Sequence, residues 1–235
     1  MSLNLDGRVV AVTGAFGVLG MAVALEVARQ GGRVALIDRV EAPAVQLPGE
    51  LAGALLLGGV DLTSFESTQT AVQRIVAHFG GLDSLVNVAG GFRWETLEAG
   101  DLASWDFLYA TNLRTAATAC KAALPALLQS DAGRVVNIGA GAAQKASVGM
   151  GAYAASKAGV ARLTESLAEE LKDTGITVNA VLPSIIDTPQ NRADMPDADI
   201  ERWVKPSELA SVIAFLLSRQ AQVITGALVP VSGRV

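Results

Sequence analysis

Short apolar runs alternate with longer amphipathic stretches along the whole chain. The runs Arg8–Thr13, Arg33–Asp38, Ala54–Val60, Ser84–Val88, Arg134–Ile138, Ile176–Leu182 and Ala227–Val231 are mostly β-branched and continuous. Continuous rather than alternating apolar runs predict strands buried on both faces of a parallel sheet. Between them, Val18–Gln30, Ser64–Phe79, Leu102–Gln129, Met150–Lys172 and Pro206–Leu217 read as helices. Ser64 reads as an N-cap with Glu66 in the first turn, Gly80-Gly81 as a stop, and Pro206 as a first helical residue. Strand–helix alternation throughout predicts right-handed βαβ units. It therefore predicts an α/β fold with a doubly wound parallel sheet of about seven strands and helices on both faces. No linker or repeat interrupts the pattern, so residues 1–235 read as one domain. The least regular stretch, Ser184–Val204, holds Pro189 and Pro196; with Pro183 before it, it reads as a lid over a site or as a solvated surface loop.

Composition narrows the class. Apolar residues make up 51% of 235, and 18 Lys+Arg against 23 Asp+Glu leave a net charge of −5. The apolar excess excludes disorder. The acidic balance argues against a nucleic-acid partner, which needs clustered positive charge. Cys120 is the single cysteine and cannot form an internal disulfide, as suits a reducing cytoplasm. Met1–Val10 lacks a basic start and meets Asp6 early, unlike a signal peptide. Uncharged stretches such as Gln220–Gly233 fall short of the ~20 residues of a membrane span. A cytoplasmic globule with no membrane partner is the expectation.

The first strand runs into Thr13-Gly14-Ala15-Phe16-Gly17-Val18-Leu19-Gly20 and then a helix. Glycines at 14, 17 and 20 permit a tight turn, a close backbone approach to a pyrophosphate, and close helix–strand packing. The helix N-terminus offers free N–H groups to phosphate. Asp38 ends the next strand, 18 residues after Gly20. A carboxylate there takes both adenosine ribose hydroxyls and repels a 2′-phosphate, which favours NAD(H) over NADP(H). Arg39 beside it could instead hold that phosphate.

Tyr153-Ala-Ala-Ser-Lys157 lies on the fourth helical stretch, and a spacing of four puts both side chains on one face. A free phenol, with a pKa of ~10, is a poor base at neutral pH. A nearby ammonium and a positive nicotinamide favour the phenolate. Tyr153 could then exchange a proton with a substrate atom while the cofactor passes hydride. A surface pair on an amphipathic helix is the plain alternative.

Taken together, these residues resemble the short-chain dehydrogenase/reductase family, whose compact members are single Rossmann-type domains of this length. The resemblance implies an oxidoreductase that moves hydride between nicotinamide and a small carbonyl/alcohol or conjugated-ring substrate. It implies Tyr153, Lys157 and Asn112, in Thr111-Asn112-Leu113, as catalytic residues. For the cofactor it implies Gly14, Phe16, Gly17, Val18 and Leu19 in the glycine loop, Asp38 and Arg39, and Asp61-Leu62 at the adenine. It adds Asn87, Ala89 and Gly90 in Asn87-Val-Ala-Gly90, Tyr153 and Lys157 themselves, and Pro183, Ile186 and Thr188 around the nicotinamide. Pairing through small-residue helices is also implied, giving a homodimer or homotetramer.

Two departures matter. The glycines follow Gly-x-x-Gly-x-x-Gly rather than the usual Gly-x-x-x-Gly-x-Gly, and the family's serine, 13 residues before the tyrosine, is here Ala140. A missing oxyanion donor costs about 10²–10³ in rate where an enzyme relies on it. Gln144 and Ser147 lie near in sequence. Both departures, with Val88-Ala89-Gly90-Gly91, resemble dihydropteridine reductase-like members, whose conjugated pterin accepts hydride without a serine-bound carbonyl. Three readings stay open: an active NAD(H)-dependent oxidoreductase, a reductase of quinonoid dihydropterin, and an NADH-binding protein with weak or no catalysis. Substrate contacts are expected from Ala140, Gln144, Trp94 and Tyr153, since Trp94 follows a strand end where ligands of open sheets sit. His78, at a helix end, and Cys120, amid alanines, make no metal site.

Overall fold

The computed structural model describes residue 3 and residues 5–42 and 47–235. Met1, Ser2 and Asn4, within the stretch weighed against a signal peptide, lie outside the described residues. The strands are β1 (Val9–Thr13), β2 (Arg33–Ile37), β3 (Leu55–Leu57), β4 (Ser84–Asn87), β5 (Arg134–Ile138), β6 (Thr177–Pro183) and β7 (Leu228–Val231). The helices are α1 (Val18–Arg29), α2 (Phe65–Phe79), α3 (Leu102–Leu108), α4 (Thr115–Leu127), α5 (Gly151–Glu170), α6 (Pro189–Asp194) and α7 (Pro206–Leu217). One parallel sheet runs in the order β3-β2-β1-β4-β5-β6-β7. This is a doubly wound Rossmann-type fold.

Alternation along each strand feeds two cores. Val10 and Val12 of β1 face α1 and α7, whereas Val9 and Ala11 face α2, α4 and α5. Both sides are covered, so both sides are apolar, and the strands lose the alternating signature of a half-solvated sheet. The expected caps are present on α2. Ser64 accepts the Ser67 N–H at 3.3 Å, and Gly80 closes the helix at φ +87°. A left-handed residue there admits glycine without steric cost.

The winding sets the site. After β3 the chain crosses back to pair β4 against β1, with Thr13 beside Asn87. The loops leaving β1 and β4 therefore diverge and open a crevice at their carboxyl ends, where open α/β sheets bind ligands.

Three local readings need correction. The run Ala54–Val60 forms a strand only over Leu55–Leu57, because Gly58-Gly59 turns away, Gly59 at φ +71°. The single helix expected over Leu102–Gln129 is three segments: α3, a π-helical turn at Tyr109–Arg114, and α4. The stretch Ser184–Val204 is more ordered than its composition implies. Ile186 bridges Val204, Asp187 N–H donates to the Val204 carbonyl at 2.9 Å, Trp203 is buried, and α6 lies between. Among the described residues no helix is long and apolar enough to cross a membrane.

Candidate active site

The glycine loop is a tight cradle. Gly14 sits at φ +61°, and a Cβ there would lie 2.8 Å from Ala89 Cα; at Gly20 it would lie 2.2 Å from the Gly14 carbonyl oxygen. Only glycine fits either place. Thr13 ties this loop to the one after β4, its hydroxyl accepting the N–H groups of Val88 (3.1 Å) and Ala89 (3.2 Å). Gly17 precedes α1 and no side chain caps that helix, so its first-turn N–H groups have no side-chain acceptor.

Asp38 reaches back over this cradle. Its carboxylate accepts Phe16 N–H at 2.9 Å and Val40 N–H at 3.2 Å, one bond per oxygen. A carboxylate has about four acceptor positions, so capacity for a diol remains. Arg39 is exposed beside it. Asp61 is held by Thr63, whose N–H and hydroxyl donate at 2.8 and 2.7 Å, and these bonds keep its carboxyl below the usual range. Three residues expected at the cofactor turn their side chains elsewhere. Leu19 and Leu62 pack in the cores. Asn87 points inward, donating to Asn137 Oδ1 (2.8 Å) and Cys120 Sγ (3.3 Å). What these residues offer the crevice is backbone.

The other wall is built from α5 and the π-helical turn. Asn112, buried, clamps the chain after β4 from both sides: Oδ1 accepts Gly91 N–H at 2.8 Å, and Nδ2 donates to the Gly91 carbonyl at 3.0 Å. Nδ2 also donates to Ser156 Oγ at 2.9 Å, and that hydroxyl donates to the Tyr153 carbonyl at 2.7 Å. The extra residue of a π turn brings Asn112 to this contact, and such turns often mark functional sites. Ser156 was not singled out in the sequence, although it lies three residues from Tyr153, on the same face. Gly90 belongs here too, since a Cβ on it would lie 2.8 Å from Asn112 Oδ1 and 3.4 Å from Lys157 Nζ.

Tyr153 and Lys157 share one face of α5, with Nζ 6.0 Å from the phenol ring centre. Lys157 is buried and donates to the Ile138 carbonyl at 2.7 Å. Burial pushes its ammonium down to about 8 and pushes the Tyr153 phenol up to about 12. The lowering of the phenol expected from the neighbouring ammonium is therefore overturned: burial is the dominant effect and moves it upward. Phe92 meets it edge to face, ring centres 4.9 Å apart. Ala140 is buried at the end of β5 and opens a short helical turn that closes at exposed Gln144. Trp94 lies across Gly149, where a Cβ would come within 2.2 Å of the indole. Beyond β6, Pro183 is buried, Ile186 is partly buried, and the Thr188 hydroxyl caps α6 by accepting Asn191 N–H at 3.1 Å. No group of three or more histidine, cysteine or acidic side chains among the described residues could hold a metal ion.

A nucleotide-binding crevice with a tyrosine and a lysine one helical turn apart defines a class of dehydrogenases, and comparison with known proteins agrees. The family model described as short chain dehydrogenase matches residues 8–199. The 3-oxoacyl-(acyl-carrier-protein) reductase of Vibrio cholerae is 34% identical over 239 residues, covering 98% of both chains. The D-threitol dehydrogenase of Mycolicibacterium smegmatis is 34% identical over 243 residues, covering 98% of this chain and 93% of its own. Among solved structures, a short chain dehydrogenase from Burkholderia cenocepacia in complex with NADP has TM-score 0.88 at 33% identity, with 98% of each chain covered. The chain belongs to the short-chain dehydrogenase family and is an oxidoreductase of that type.

Proposed function

We propose that this protein is an NAD(H)-dependent reductase of a small carbonyl compound, with Tyr153 as the proton donor. The observation that carries the reading is the Tyr153 phenol on the same face of α5 as buried Lys157, Nζ 6.0 Å from its ring centre, with a glycine cradle after β1. The cradle at Gly14, Gly17 and Gly20, the uncapped start of α1 and the Asp38 carboxylate fit a dinucleotide. When bound, the nicotinamide supplies or takes the hydride.

The chain's own residues do the rest. In reduction the carbonyl carbon gains hydride, the C=O π bond is lost, and the oxygen takes the proton from Tyr153 Oη. Burial raises the phenol, and the Lys157 ammonium on the same helix face is the charge that offsets this as the proton leaves. Lys157 places positive charge under the phenolate that remains. Asn112 holds the Gly90–Gly91 backbone and, through Ser156, the first turn of α5. Asp38 beside the loop supports NAD(H), its charge opposing a 2′-phosphate. Arg39 and the NADP held by the Burkholderia relative make NADP(H) the competing cofactor. The names of the relatives, an oxoacyl reductase and a polyol dehydrogenase, support a carbonyl/alcohol pair ahead of a dihydropterin.

The test is steady-state reduction of a carbonyl panel and a quinonoid dihydropterin, with NADH and NADPH titrated in parallel. Tyr153→Phe is expected to keep cofactor affinity and lose at least about 10²-fold in kcat, the scale of a positioned general acid. Unchanged turnover in that variant rejects the mechanism, and tighter NADPH binding rejects the cofactor assignment.

A further inference from the structure

We propose that Phe92 and Trp94 are the specificity-determining residues of this site, and that they select a planar, conjugated dicarbonyl substrate of the quinone class. The inference rests on the reductase reading above and deepens it. Two large aromatic side chains stand on the loop after β4 with 52% and 59% of their surface exposed. Exposed aromatics on a loose loop would mean little. This loop is not loose. Asn112 fixes Gly91 through both its N–H and its carbonyl, and Glu95 N–H donates to the Gly149 carbonyl at 2.8 Å. Gly149, at φ +73°, leaves the indole of Trp94 its place. The backbone from 91 to 95 is therefore pinned at both ends while the two rings stay open.

Phe92 is joined to the chemistry directly, and Trp94 follows two residues on along the same pinned segment. The Phe92 ring meets the Tyr153 ring edge-on at 4.9 Å and an interplanar angle of 85°. A flat ring sliding beside the phenol would stack or edge onto Phe92, the geometries aromatic pairs prefer. The charged neighbours in the segment are turned away. Arg93 lies 4.0 Å over the Phe107 ring and donates to Ser104 Oγ at 3.1 Å, and Glu95 accepts Asp101 N–H at 3.3 Å. Beside Gly149 the adjoining loop exposes apolar Val148, with Lys145 further back. The exposed ring beside Tyr153 is that of Phe92.

Ala140 selects the same class for an electronic reason. An isolated ketone taking hydride builds charge on one alkoxide-like oxygen and needs a donor there. A quinone that takes hydride becomes a hydroquinone monoanion, its charge delocalised from one oxygen into the ring. The phenol-like conjugate acid has a pKa of ~10, so less charge has to be held by an outside donor than on an alkoxide. One proton from Tyr153 Oη then completes the hydroquinone, leaving the phenolate beside the Lys157 ammonium. A methyl at Ala140 in place of a hydroxyl then costs such a substrate little.

Binding is read before turnover. Calorimetry on protein saturated with NADH compares 2-naphthol with decahydro-2-naphthol, flat and puckered versions of one skeleton. The flat ligand is expected to bind about three- to tenfold tighter, the scale of one aromatic pairing. Phe92→Leu, which keeps bulk without the ring, should erase the difference, and Phe92→Tyr should retain it. Kinetics should agree: 9,10-phenanthrenequinone favoured over 2-decalone, with Phe92→Leu and Trp94→Ala raising KM for the quinone alone. Equal binding of the two naphthols, a ratio that survives Phe92→Leu, or a preference for an aliphatic 3-oxoacyl thioester overturns the inference. So does a change of sedimenting mass in Phe92→Leu, which would assign the ring to a subunit interface. NADH affinity in the same samples separates the two readings: its absence rejects the reductase, whereas intact affinity without ring discrimination rejects only the quinone class.

Discussion

Lys157 sets function against stability within one side chain. Its ammonium is buried, with Ile138 oxygen as its acceptor, and burial holds it near 8 against 10.5 in the open chain. That gap corresponds to about 3 kcal/mol at neutral pH. Below pH 8 the lysine is protonated in both states and the full cost applies. Between about 8 and 10.5 the unfolded chain binds more protons, so folding stability rises with pH, and above that range the cost is gone. Lys157→Met is therefore expected to stabilise the protein by about 2 kcal/mol at pH 7, after about 1 kcal/mol for the lost hydrogen bond. Thermal melts should show a gain of several degrees at pH 7 that falls through zero and becomes a small loss by about pH 10.5, where only the missing hydrogen bond remains; a less stable variant at pH 7 contradicts the assignment. Tyr153 acts in a separate window. Its raised pKa contributes stability below about pH 10, and this is lost as pH climbs through 12. The spacing of Tyr153 and Lys157 was readable in the sequence because helical periodicity alone places them together. The inward turn of Asn87, the reach of Ser156 to Asn112 and the edge of Phe92 on Tyr153 were not, since each depends on a partner distant in the chain or on a rotamer.

At the scale of elements, the helical pattern between Leu102 and Gln129 predicts one rod, and the molecule makes three pieces. Local propensity cannot report a π turn whose purpose is to carry Asn112 onto Gly91, 21 residues away. The glycine loop is the converse case. Its requirement is steric, so residue type alone discloses it. Gly20→Ala would push a methyl to 2.2 Å from the Gly14 carbonyl, forcing α1 off β1. Overpacking of that kind costs about 1–3 kcal/mol. Thermal denaturation should register the loss, and NADH titration should weaken with it. A variant with wild-type melting and affinity would mean that α1 accommodates the methyl freely.

For the whole molecule, one sheet carries the crevice where the loops after β1 and β4 diverge. Leu102, Trp105 and Tyr109 on and after α3 remain exposed on one chain. Apolar surface of this kind commonly marks an interface. Pairing of two copies through the α3–α5 region is the expected assembly, and sedimentation at micromolar concentration should give at least twice the 24.1 kDa of the chain. A single species at the monomer mass would remove that expectation.

The sequence by itself determined the alternation of strands and helices, the doubly wound class, the glycine cradle and the Tyr153–Lys157 pair. Each of these follows from short-range periodicity or from a steric demand that one residue type alone satisfies. Only the tertiary structure decided the strand order that opens the crevice between β1 and β4. It alone also decided the π turn that delivers Asn112, the ordering of residues 184–204 by the Ile186–Val204 bridge, and the edge of Phe92 on the phenol. Those depend on contacts between residues tens of positions apart, whose energies exist only once the two cores have closed around the sheet.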